Sequence, residues 1–112
     1  MKRFSILRDL VAFSKPIDEL SGILSQLDWD YEGEPLIVTA SEVKSVLKRF
    51  LAGECSAQDI EAWANLLELR EDLQFEEQKL EAIENVINCL ANPVLQGEIT
   101  PDLCESLLGS LD

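Results

Sequence analysis

The chain contains no histidine, few basic residues and no long apolar run, and each absence removes a class of function. Without an imidazole there is no thiol–imidazole catalytic pair, and Cys55, Cys89 and Cys104 lack the paired spacing of a zinc site. An odd number of unpaired cysteines fits a reducing compartment better than a disulfide framework. No Gly-rich phosphate loop, nucleophile elbow or metal-ligand spacing occurs either, so the expectation is a protein that is not an enzyme and needs no cofactor. No apolar stretch reaches the ~18 residues that a membrane span requires. The amino-terminal MKRFSILRDLVAFSK carries two early bases and some apolar residues, but Arg8 and Asp9 interrupt it. Neither export nor insertion is expected, which points to the cytoplasm.

The scarcity of bases is the strongest signal. Nine Lys and Arg face 22 Asp and Glu, a formal charge of −13. Such a chain repels nucleic acid and anionic membrane surfaces, and its field draws basic proteins. The excess is lopsided: residues 1–53 carry a net −1, whereas residues 54–112 carry fourteen acids against Arg70 and Lys79 alone. A solvated surface that keeps a small protein soluble accounts for part of this. The sharper reading is a face built for a cationic partner.

What is present is helical periodicity. With 112 residues, 46% of them hydrophobic, the chain is expected to form one domain, 1–112, that buries roughly two-thirds of its unfolded surface. Phe4, Leu7, Leu10 and Val11 recur at helical spacing, and Ser14 with Pro16 opens a second helix bearing Ile17, Leu20, Ile23, Leu24 and Leu27. Thr39 and Glu42 form a T-x-x-E capping box ahead of Val43, Val46, Leu47 and Phe50, and Gly53 supplies a left-handed stop. Ser56 caps a helix with Ile60, Trp63, Ala64 and Leu67 facing inward. The short GECS turn between these two helices predicts antiparallel neighbours. REDLQF, residues 70–75, breaks the pattern. A long helix from about Glu76 then buries Leu80, Ile83, Val86, Ile87 and Leu90 and stops at Asn92 and Pro93. Thr100 and Pro101 begin a last helix with Leu103, Cys104, Leu107 and Leu108, ending near Gly109. The expected fold is all-α, a compact bundle of five or six helices, with PLIVT, residues 35–39, as the one competing strand.

Two acidic segments are candidate partner contacts. In the first, DWDYEGE, the carboxylates of Asp28, Asp30, Glu32 and Glu34 accept from Arg and Lys, Tyr31 offers rigid contact area, and Gly33 lets backbone approach closely. The second holds Glu68, Glu71, Asp72, Glu76 and Glu77, continuing into Glu81 and Glu84. Glu77, Glu81 and Glu84 share one helical face at i, i+4 and i+7, where like charges cost a few tenths of a kcal/mol per pair. The first segment also opens like a calcium loop, with Asp28, Asp30 and Glu32 at its first, third and fifth positions and Gly33 at its sixth. The twelfth position is then Thr39, which cannot supply two carboxylate oxygens and is better used as a helix cap.

FLAGECSAQDIEAWANLLE, residues 50–68, and LANPVLQGEIT, residues 90–100, resemble small immunity proteins of bacterial toxin systems. These are the contact-dependent growth inhibition and helical colicin-type immunity proteins. The likeness lies in a Gly-containing turn before a Ser-capped helix with Trp63 and Ala64, and in a later Asn92–Pro93 segment, and covers about a third of the chain. The resemblance implies a cytoplasmic protein that binds a cognate toxin domain one to one, often a nuclease whose basic surface an acidic protein occludes. It assigns no contact residues, so the two acidic segments stand on charge alone. An acidic helical adaptor or regulatory subunit that docks a basic protein is the alternative. On the twelfth-position argument, calorimetry with calcium should register no heat and melting should be unchanged by chelator; a calcium-dependent rise in melting temperature would restore the metal-loop reading.

Overall fold

The structure, a computed structural model, describes residues 3–26, 34–68 and 72–111. Among them are helices α1 (Arg3–Ala12), α2 (Ile17–Leu24), α3 (Ala40–Leu51), α4 (Ala57–Leu67), α5 (Leu80–Ala91), the single-turn α6 (Pro93–Gln96) and α7 (Pro101–Leu111). Two short strands, β1 (Leu36–Val38) and β2 (Leu73–Phe75), pair in parallel. The fold is mostly α, with six helices of eight residues or more among the described residues. The competing strand reading of PLIVT is the correct one, and REDLQF breaks the helical pattern because its last residues are the partner strand.

Local signals account for both ends of α3 and the start of α4. Thr39 Oγ1 accepts from the Glu42 amide at 3.3 Å while the Glu42 carboxylate accepts from the Thr39 amide at 3.0 Å, which completes the capping box. Ser56 and Asp59 repeat that exchange at the start of α4, both bonds at 3.1 Å. Gly53, at φ 84°, closes α3 through bonds from its own amide to Phe50 and from Glu54 to Arg49, the paired bonds of a Schellman turn.

α1 ends the same way without a glycine. Phe13 sits at φ 52°, with its amide on the Leu10 carbonyl and the Ser14 amide on Asp9, both at 3.0 Å. A phenylalanine held there costs about 1–3 kcal/mol of backbone strain, so other contacts must outweigh it. The Phe13 ring is buried and stacks on Trp63, centroids 6.4 Å apart. The Arg49 guanidinium lies 5.4 Å over that ring and donates to the carbonyls of Phe13 at 2.6 Å and Ala12 at 3.1 Å. The buried Trp63 indole donates to the Leu10 carbonyl at 2.7 Å. Helices α3 and α4 therefore both grip the end of α1. This corrects the expectation that α3 and α4 lie side by side: α4 packs chiefly on α5 and α3 on α7 and α1, and each sends a side chain to the end of α1.

One hydrophobic core runs through all the longer helices and β1, with Leu7, Leu10, Leu20, Leu47, Ile60, Trp63, Ile83 and Leu90 fully enclosed. Phe4 and Leu80 were expected inside and are exposed, each lying in the first turn of its helix where the chain has not yet entered the packed layer. α7 continues through Gly109 to the buried Leu111 instead of stopping near the glycine. Arg49→Met, which keeps the apolar stem but loses both carbonyl contacts, should lower unfolding free energy by about 1–3 kcal/mol. Trp63→Phe removes a donor and leaves a cavity, and should cost a similar amount. Urea denaturation followed by circular dichroism reads both, and an unchanged midpoint for either would show that the grip on α1 is not a stabilising contact.

Candidate partner-binding surface

The parallel sheet decides how the acidic segments meet. Leu36 pairs with Leu73 and Val38 with Phe75, and the Leu36 amide donates to the Asp72 carbonyl at 2.9 Å. Both strands therefore begin at the same end, so Glu34, just before β1, and Asp72, just before β2, flank one edge of the sheet. Glu76 and Glu77 follow β2 and belong to the other end. Four residues of extended chain separate Asp72 from Glu76 by ~13 Å, more than the ~8 Å over which salt screens exposed charges at physiological ionic strength. The acidic residues around the sheet form two regions, one at each end.

The candidates fare differently. Asp28, Asp30, Tyr31, Glu32 and Glu71 lie outside the described residues. Glu34 is exposed, and Glu68, where α4 gives way to extended backbone, is half-buried. Asp72 is 2% exposed, the one buried charged residue among those described, so its carboxylate is withdrawn from any outer face. Glu76 is also corrected. Its Oε2 accepts from the Ala40 amide at 3.1 Å, and its amide donates to the Val38 carbonyl at 2.8 Å. A carboxylate at a helix N-terminus meets the positive end of the helix dipole, so Glu76 is a second cap on α3 delivered from the end of β2. That role lies 36 positions from the amide it serves, and no local motif could have shown it.

Glu77 is exposed, as are Glu81 and Glu84. Glu77 lies in a 3-10 turn, Glu77–Lys79, ahead of α5, and Lys79 at φ −123° and ψ 17° departs from helical geometry, so the expected i, i+4, i+7 stripe is corrected: Glu81 and Glu84 share α5, and Glu77 stands before it. The opposite face of α5 holds the buried Ile83, Val86, Ile87 and Leu90. From Leu80 to Leu111 there is no Lys or Arg, so the charge of α5 and α7 is not neutralised along their own length.

The described surface carries open hollows, of which two bear on the candidates. The first, about 420 Å³, sits where α1 hands over to α2 and meets the turn after α3. Its charged groups are largely committed to the fold: Arg49 to the α1 carbonyls, Lys15 to Asp9 at 3.4 Å, and Asp59 to the Ser56 amide. The second, about 440 Å³, is formed by residues 77–82 and Ser110. Among the described residues no three His, Cys, Asp or Glu side chains gather as metal ligands, and no helix is long and apolar enough to cross a membrane.

The thiols are packing groups. Cys55, Cys89 and Cys104 are free, the first and last buried. Burial pushes the Cys104 thiol up from 9.0 to about 11. Cys55 is raised mainly by burial, with Arg49 lowering it and Asp59 and Glu54 adding to the rise. Comparison of the chain with protein-family models, curated proteins and solved structures finds no match in any of the three.

A thiol kept protonated by folding lends stability that is complete below its unfolded value and is lost as pH rises through its folded value. Stability should therefore decline between pH 9 and about 11. Cys104→Ala, less stable overall, should show a shallower decline in urea titrations across that window; an equal slope in both proteins would remove Cys104 as its source.

Proposed function

We propose that the protein is an immunity protein that binds a cognate bacterial toxin domain in the cytoplasm, one to one, and neutralises it by covering a basic, nuclease-type surface. The observation that carries this reading is the exposed Glu77, Glu81 and Glu84 in the turn before α5 and on α5 itself, a helix that, like α7, has no Lys or Arg along its own length. Side chains that repel one another in the free protein lose that penalty when a cationic surface arrives. Glu34 at the far end of the sheet offers a second point of attraction.

The resemblance in residues 50–68 and 90–100 supports the reading through the scaffold. Gly53, Ser56, Trp63 and Pro93 end, cap, pack or start helices, so the shared features build the scaffold and leave the contact surface to the charges. Complementary charge of this kind steers encounter more than it holds the complex, so the association rate should fall steeply with salt.

Co-expression with the product of the adjacent gene tests the proposal. Rescue of growth together with co-purification of a one-to-one complex is the expected result. A neighbour that is a non-toxic enzyme, co-purifying without any growth effect, would replace immunity with the adaptor role. Within a toxin complex, Glu77→Lys, Glu81→Lys and Glu84→Lys together should slow association at least about tenfold at low salt and flatten its salt dependence. A rate indifferent to both charge and salt would refute the acidic-face mechanism.

A further inference from the structure

The α5 stripe has an apolar element that charge alone does not explain. Leu80 is 39% exposed although it belongs by spacing to the stripe of Ile83 and Ile87. It lies in the groove of about 440 Å³ where the 3-10 turn and the first turn of α5 meet the last turn of α7. Half-buried Ala82 continues the apolar surface, and the exposed carboxylates of Glu77 and Glu81 stand beside it. The Ser110 hydroxyl, at the α7 side, is turned to the Leu107 carbonyl at 2.7 Å and so commits its proton inside its own helix. What the groove presents outward is therefore a leucine and an alanine among two carboxylates, the amide of Gln78 and one cation, Lys79, a lining of net negative charge.

We infer that this groove is the anchoring point for the basic partner and takes one apolar side chain carried between Lys or Arg residues on the partner's surface. The inference rests on the basic-partner reading above and adds to it a position and a division of labour. An apolar residue alone would enclose Glu77 and Glu81 with Lys79 as the one cation among the groove's lining residues, and the excess carboxylate charge carries a desolvation cost. A basic residue alone would leave Leu80 in water. The combination satisfies both, with the carboxylates acting on encounter and Leu80 on residence time, as a small desolvated anchor inside a charged rim does at other interfaces.

Pentapeptide probes test the groove without the toxin: leucine between two pairs of Lys-Arg, the same peptide with serine at the centre, and leucine between two pairs of glutamine. Each is titrated into the nitrogen-15 labelled protein at low salt. The basic leucine peptide should give saturable amide shifts centred on residues 77–82 and 108–111. Replacing its leucine by serine, or the protein's Leu80→Ser, should weaken binding about tenfold. Glu77→Gln with Glu81→Gln should weaken it and remove its salt dependence. Because Leu80 is exposed, the variant's fold is checked by an unchanged urea midpoint.

Non-saturating shifts, shifts centred elsewhere, or equal binding of the leucine and serine peptides would overturn the groove as an anchor, leaving the co-expression result to judge the immunity reading alone. Equal binding of the glutamine-flanked peptide would overturn the commitment to a basic occupant. Failure of co-expression with an intact peptide response would remove the toxin and keep the groove.

Discussion

The end of α1 is the constraint on which the helix arrangement depends. A helix that closes on phenylalanine instead of glycine stores about 1–3 kcal/mol of strain, and it stays closed because two other helices hold it. Charge-assisted hydrogen bonds are worth about 1.5–3 kcal/mol each, and a guanidinium over an aromatic ring adds about 0.5–2 kcal/mol. The Arg49 bonds, its place over Phe13 and the Phe13–Trp63 stack together outweigh the strain. With that end held by both, α4 packs chiefly on α5, and α3 on α7 and α1.

The sheet, small as it is, organises the rest of the surface. Three paired residues in each strand hold together segments that a two-helix crossover separates, and the parallel sense determines which acids become neighbours. Glu76 extends the connection by capping α3 immediately after β2 ends. β2, α3 and the start of α5 are thereby tied at one corner, directly beside the exposed turn that begins the acidic stripe.

What the sequence made legible follows from range. Thr39 with Glu42, Ser56 and Gly53 act within a few residues of themselves, so their motifs could be read directly, and the buried stripes of α3, α4 and α5 repeat often enough to show their period. Phe13 in a left-handed turn could not be anticipated, because its support comes from Arg49 and Trp63, some 36 and 50 positions away. β2 was too short to show alternation, and its partner lies beyond two helices. The same holds for the acids. The exposed pair Glu81 and Glu84 was visible from helical spacing, whereas the 3-10 turn that carries Glu77 was not, and the burial of Asp72 and the capping role of Glu76 exist only once β1 and β2 have paired.

The carboxylates of the described chain thus fall into two kinds. Glu42, Asp59 and Glu76 are each bound to a backbone amide that has no other intrahelical use, and Asp72 is enclosed, so a change at any of them disturbs the scaffold before it disturbs recognition. Among the described residues, the side chains of Glu77, Glu81 and Glu84 are exposed and cap no helix. A lineage that had to follow an altering partner could rewrite those three positions freely, exchanging one specificity for another, while the frame beneath them went on folding as before.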